Sequence, residues 1–171
     1  PVPLFITGSL MALGSETDSI RFMPEDSAKW CGIRISGGDT SSLAWTRISG
    51  GVADYDNGFV VGGGISVTDS NTRVYARNSV VADGFALSGG GIYVANARVT
   101  LQGVTLRNNW AHKGAGLNAQ YATIDMADCV IRDNRSNRGG GISVHASILH
   151  ADRCLFADNV KDANWWGGGA S

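Results

Sequence analysis

Residues 97–120 read ARVTLQGVTLRNNWAHKGAGLNAQ, and the reading of this stretch decides the fold. Apolar residues alternate with polar ones at Val99 and Leu101, and again at Val104 and Leu106. A third alternation follows each glycine block, as at Ile92 and Val94. A period of two is the strand signature. A helix would instead need apolar residues at i, i+3, i+4 and i+7, and they do not recur that way. Each run is only a few residues long. One repeat is therefore expected to hold three short strands with turns between them.

The repeat extends outward from this stretch in both directions. Its marker is a glycine-rich block at Gly62–Gly64, Gly89–Gly91, Gly114–Gly116, Gly139–Gly141 and Gly167–Gly169, at intervals of 27, 25, 25 and 28 residues. If consecutive repeats are coils of a solenoid, residues one repeat apart lie about 4.8 Å from each other in a parallel sheet. The columns this creates make physical sense. Val74, Val99, Ile124 and Leu149 are aliphatic, and so are Val81, Leu106 and Ile131, followed by Phe156. Ala76, Leu101, Met126 and Ala151 alternate small and large, while Ser79, Val104, Cys129 and Cys154 are all small. Such columns shield one another from water. The positions between them, such as Tyr75, Thr100, Asp125 and His150, are mostly polar.

A turn column fits the same register. Asn109, Asn134 and Asn159 recur every 25 residues, with Gly84 in the same place one coil earlier. Asn and Gly share tolerance of left-handed backbone, which is expected here, and stacked Asn side chains can hydrogen-bond along the column. The first 50 residues follow the pattern less regularly. Ile6, Leu10, Ala12, Ile20 and Phe22 make one coil, and Ile33, Ile35, Leu43 and Trp45 begin the next, with longer insertions between. The expected architecture is all-β: a right-handed parallel β-helix of five to six coils, roughly 25–30 Å long. Residues 1–171 form a single domain, with 1–50 as irregular lead-in coils and 62–169 as regular repeats, read as a segment of a longer solenoid.

Composition narrows the function classes. The 14 Lys and Arg nearly balance 15 Asp and Glu, so no basic patch argues for nucleic acid. No apolar run approaches the ~20 residues of a membrane helix, so no membrane insertion is expected of this segment. Glycine is abundant at 24 residues and proline scarce at 3, which suits many tight turns in an ordered chain. Three cysteines do not make a disulfide framework. Cys129 and Cys154 should stack inside on adjacent coils, where parallel side chains point the same way and favour buried thiols over a bond.

GGGI, then a V-x-L strand, then V-x-L/I-x-x-N, resembles the right-handed parallel β-helix repeats of the pectate-lyase-like superfamily. The motif is closer still to the paired GGAI and FxxN repeats of polymorphic outer-membrane proteins. Phe156-Ala157-Asp158-Asn159 fits FxxN, with Leu106 to Asn109 and Ile131 to Asn134 as aliphatic variants. The resemblance implies an extracellular or cell-surface protein and a fold that hosts adhesins, passenger domains, polysaccharide lyases, glycosidases and inert spacers. It does not choose among them.

Four groups of residues are candidates for chemistry. Asp125, Asp152 and His150 gather on one outward face with Asp128 and Arg153. Asp125 and His150 share a column, and the Asp125–Asp152 offset of about 8 Å falls within the ~6.5–9.5 Å that separates the carboxyls of inverting glycosidases. The competing reading is a solvated face with weak ion pairs. Asp54, Asp56 and Asn57 precede Gly58, an arrangement that offers oxygens to Ca²⁺ but equally makes an ordinary Asn-Gly turn; no other cofactor is implied. Trp165 and Trp166 form an edge ridge suited to stacking on a sugar or docking a protein, while Trp110, beside His112 and Lys113, is read as a turn residue covering the coil edge. The expected role is a non-enzymatic structural or adhesion module, with further coils, copies of itself, other surface proteins or glycans as partners. The alternatives are a polysaccharide-active enzyme using Asp125, Asp152 and His150, and a carbohydrate-binding module using the edge tryptophans.

Overall fold

A computed structural model of the protein describes residues 2–25, 30–53 and 58–161. The described residues form strands and turns with no helix, arranged as a parallel β-solenoid of six coils. Four parallel sheets run along it. The first stacks Leu4–Ile6, Ile33–Ile35, Ile65–Thr68, Ile92–Ala95, Leu117–Gln120 and Ile142–His145. The second stacks Met11–Leu13, Thr40–Ala44, Arg73–Arg77, Arg98–Gln102, Thr123–Ala127 and Ile148–Asp152. The third stacks Ile20–Phe22, Thr46–Ser49, Val80–Ala82, Thr105–Arg107, Val130–Arg132 and Leu155–Ala157. The fourth stacks Val52–Ala53, Phe85–Ser88, Trp110–Lys113, Arg135–Arg138 and Val160–Lys161.

The columns read from the repeat are those of the structure. Val74, Val99, Ile124 and Leu149 are register partners, as are Val81, Leu106, Ile131 and Phe156. In the middle coils they point inward and are almost fully buried, joined by Ile33, Ile48, Val67, Val94 and Val104 in one continuous core. Cys129 and Cys154 carry free thiols, Cys129 buried and Cys154 half-buried. Desolvation pushes the Cys129 thiol up to about 11. Cys129 behaves as a small apolar core residue.

Three details differ from the sequence reading. Each full coil has four strands, not three. The fourth lies where a turn was expected, over Phe85–Ser88, Trp110–Lys113 and Arg135–Arg138. Its inward column is Ala53, Ala86, Ala111 and Ser136, too small to register as an apolar alternation. Trp110 is therefore a strand residue, half outside and edge-on to Phe85 of the coil below at 5.7 Å. Second, the left-handed backbone belongs to the residue before each member of the column that runs from Gly84 to Asn159: Asp83, Asn108, Asp133 and Asp158 have φ of 58°, 53°, 56° and 52°. Third, Trp45 is not an inward partner of Leu43. It occupies a left-handed turn (φ 52°), and the inward residues on either side are Leu43 and Thr46.

Freed from the turn, the Asn column goes inside. Asn134 Nδ2 donates to Asn159 Oδ1 at 2.9 Å and to the Leu106 carbonyl at 3.0 Å. Its Oδ1 accepts from the Asn109 backbone N–H and from Asn109 Nδ2 at 3.0 Å. Asn109 repeats this toward Gly84 and the Val81 carbonyl. Only an amide offers two donors and an acceptor in this shape. The ladder also explains part of the glycine block. A Cβ on Gly116 would sit 2.5 Å from the Gly141 carbonyl oxygen and 3.2 Å from Asn134 Nδ2, so glycine is the residue that lets the two columns meet.

Candidate functional site

Asp125 lies between the inward residues Ile124 and Met126, so alternation turns it outward. Thr100 is its register partner on one coil and His150 on the next. His150 Nδ1 meets Asp125 Oδ1 at 2.8 Å, and Arg98 Nε donates to Asp125 Oδ2 at 3.3 Å. In the following turn Asp128 and Arg153 stack in left-handed geometry, with φ of 55° and 48°. Arg153 grips Asp128 with two parallel bonds, Nε to Oδ1 at 2.7 Å and Nη2 to Oδ2 at 3.1 Å. A third bond runs from Arg153 Nη1 to Asp152 Oδ2. The five residues singled out in the sequence are thus brought together, with Asp152 opposite Ala127 and Asp125 opposite His150.

The electrostatics bear on what this cluster can do. The His150 hydrogen bond is the largest influence on Asp125, and with Arg98 it holds the carboxyl below its usual range against a smaller effect of burial. Arg153 lowers Asp128 in the same way. A glycosidase general acid must keep its proton near neutral pH, which requires a raised pKa. Asp125 is shifted in the opposite direction. A lowered carboxyl suits an anion held between cations on neighbouring coils, and His150 beside it is 69% exposed at the side chain.

The other candidates fare differently. Asp54, Asp56 and Asn57, and Trp165 and Trp166, lie outside the described residues. Among the described residues no three His, Cys, Asp or Glu side chains gather to hold a metal. The sequence reading missed Arg98, although the repeat places it one coil and two residues from Asp125. It also missed Arg34, an outward residue of the first sheet that is nevertheless buried. Arg34 Nη1 donates to the Gly62 carbonyl, and the guanidinium lies 5.3 Å from the Phe59 ring centroid. Desolvation lowers its pKa to about 10. The signal was faint: Phe59 comes from an insertion that breaks the repeat.

The two ends of the rod contrast with its middle. Phe156 is 49% exposed, whereas Leu106 and Ile131 in the same column are fully buried. Leu155, Ile148 and Val144 are also exposed at this end, and Phe5, Met11 and Leu13 at the other. Compared with known proteins, the chain matches no family model, no curated protein and no solved structure. The class defined by fold and surface is a parallel β-solenoid whose outer face carries carboxylates paired with cations.

Proposed function

We propose that this chain is a non-enzymatic structural or adhesive module of a secreted or cell-surface protein, docked through the ends of its solenoid to further coils or copies of itself. The observation that carries the reading is the interior column at the last described coil, where side chains of a kind buried in the middle coils are exposed. Among the described residues the four short strands of the last coil have no further strand beside them, and such strand edges favour pairing with another chain. The motif resemblance to repeat-rich surface proteins supports the extracellular assignment. The pairing of Asp125, Asp128 and Asp152 with cations argues against a catalytic use of that face.

Sedimentation of the 171-residue chain over a wide concentration range tests the docking. The expected result is concentration-dependent association that Phe156→Glu abolishes while the circular dichroism spectrum stays β-rich. A monomer at every concentration would overturn it. A screen against neutral and acidic polysaccharides tests the non-enzymatic part. Cleavage that disappears in Asp125→Asn would replace this reading with that of a polysaccharide-active enzyme.

A further inference from the structure

One three-residue motif is left over from the repeat. Asn134-Arg135-Ser136 is the chain's one Asn-x-Ser/Thr sequon, the signature of an N-glycan acceptor, and such acceptors ordinarily sit on surface loops. Here the motif leads into the strand Arg135–Arg138, where side chains alternate between the two faces. A period of two puts the first and third residues of the sequon on the same face, and that face is the inside. Asn134 and Ser136 are fully buried, and only Arg135 is exposed.

The functional groups of the motif are already committed. Both Nδ2 hydrogens of Asn134 are used, one toward Asn159 Oδ1 at 2.9 Å and one toward the Leu106 carbonyl at 3.0 Å. The Ser136 hydroxyl donates to the Arg138 carbonyl at 2.7 Å. Nor is there room beside them. A single carbon added to Gly116 would lie 3.2 Å from Asn134 Nδ2, closer than ordinary contact. A sugar ring on that nitrogen would have to stand where the amide ladder and the glycine column meet.

N-glycosylation consumes one of those two hydrogens. The Asn Nδ2 attacks the anomeric carbon of an oligosaccharide carried on a lipid diphosphate. The N–C bond forms, the C–O bond to the diphosphate breaks with its electron pair leaving on the lipid diphosphate, and one Nδ2 proton is lost to base. The linked amide keeps a single N–H. That N–H can serve Asn159 or the Leu106 carbonyl but not both, and a buried acceptor left without its donor is costly. From this geometry we infer that Asn134 is an N-glycan acceptor only in the unfolded chain, and that the glycan and the solenoid exclude each other. The chain then reaches its fold only along a route that leaves nascent Asn-x-Ser sequons unmodified. The inference rests on the inner ladder alone and is independent of how the solenoid ends are covered.

The test is translation of the full chain, behind a cleavable export signal, with and without microsomal membranes that carry the oligosaccharyltransferase. Gel mobility before and after endoglycosidase separates glycan-bearing from bare chains, and limited proteolysis reads the folding of each in the same sample. The expected result is a bare chain that resists the protease and a glycan-bearing chain cleaved about tenfold faster or more. Ser136→Ala gives the position the alanine of Ala53, Ala86 and Ala111 in the same column, so with membranes present it should carry no glycan and resist throughout. The refolded chain offered to the same transferase should stay unmodified, while an unstructured peptide of residues 131–138 is modified. Three results overturn the proposal: a glycan-bearing chain as resistant as the bare one, a glycan added to the refolded chain, or no glycan on either the nascent chain or the peptide.

Discussion

Two polar ladders run along this solenoid, each passing from one coil to the next, and their worth differs because one is dry and the other wet. Inside, Asn109, Asn134 and Asn159 pass hydrogen bonds from coil to coil. Outside, Arg98, Asp125 and His150 do the same, with Asp128 and Arg153 alongside. Asn109 and Asn134 are buried, so each lost bond leaves a group that water cannot reach, at about 1–3 kcal/mol apiece. His150 and Arg153 are exposed, and water takes over most of what a lost ion pair gave. A polar residue that repeats with the coil is therefore not by itself a sign of chemistry.

Removing the middle rung of the inner ladder is the largest test of that difference. Asn134→Ala takes the Nδ2 donor from the Leu106 carbonyl and the Oδ1 acceptor from the Asn109 N–H, and removes one of two bonds from Asn109 Nδ2 and from Asn159 Oδ1. The expected loss is about 4 kcal/mol or more, a large part of a typical ~5–15 kcal/mol total. Urea denaturation followed by circular dichroism measures it. A loss below about 1 kcal/mol would mean the buried amides find other partners.

The apolar columns carry the same contrast between interior and edge. Leu106→Ala removes a fully buried side chain and should cost about 2–5 kcal/mol. Phe156→Ala, two coils further along the same column, removes a half-exposed ring and should cost about 1 kcal/mol or less in dilute protein. Equal losses under conditions where the chain is monomeric would show that the terminal coil is already covered.

The same contrast explains what the sequence made legible. Columns of large side chains were readable because Val99, Ile124 and Leu106 alternate with polar neighbours and recur in register. The Asn ladder was readable as a column but not as an interior one, since Asn is at home in turns and only the placement of Asp83, Asn108 and Asp133 in the left-handed region frees it to turn inward. The fourth strand was hidden because its inward residues are alanine and serine, which carry little hydropathy contrast. That strand also brings Lys113 over Arg138, a juxtaposition that reading the segment as a turn could not supply. In the outer cluster, identities and neighbours followed from the register. The direction of the Asp125 shift did not, because it depends on Arg98 and on which His150 nitrogen faces the carboxylate.

Smaller effects are expected outside. Arg153→Gln breaks a two-bond grip on Asp128, yet both groups are solvated, so the melting temperature should stay within measurement error of the wild type. A clear drop would show that the pair is shielded, and would move the outer ladder closer to the inner one in kind.

The finest distinction between the ladders is their response to pH. Asp125 has its pKa lowered by folding, first through His150. Its contribution is therefore complete above the unfolded value of about 3.9 and is lost as pH falls through the lower, folded value. Wild type should be slightly more stable than Asp125→Asn near neutral pH, and the gap should close as the carboxyl takes up its proton in acid. Salt should narrow it too, because the pair is open to solvent. Asn134→Ala removes no titrating group, so its deficit should hold across the same pH range and at high salt. Thermal melts of the two variants at descending pH separate the cases. A gap for Asp125→Asn that ignored both acid and salt would mean its carboxylate acts through buried hydrogen bonds, as the amides inside do.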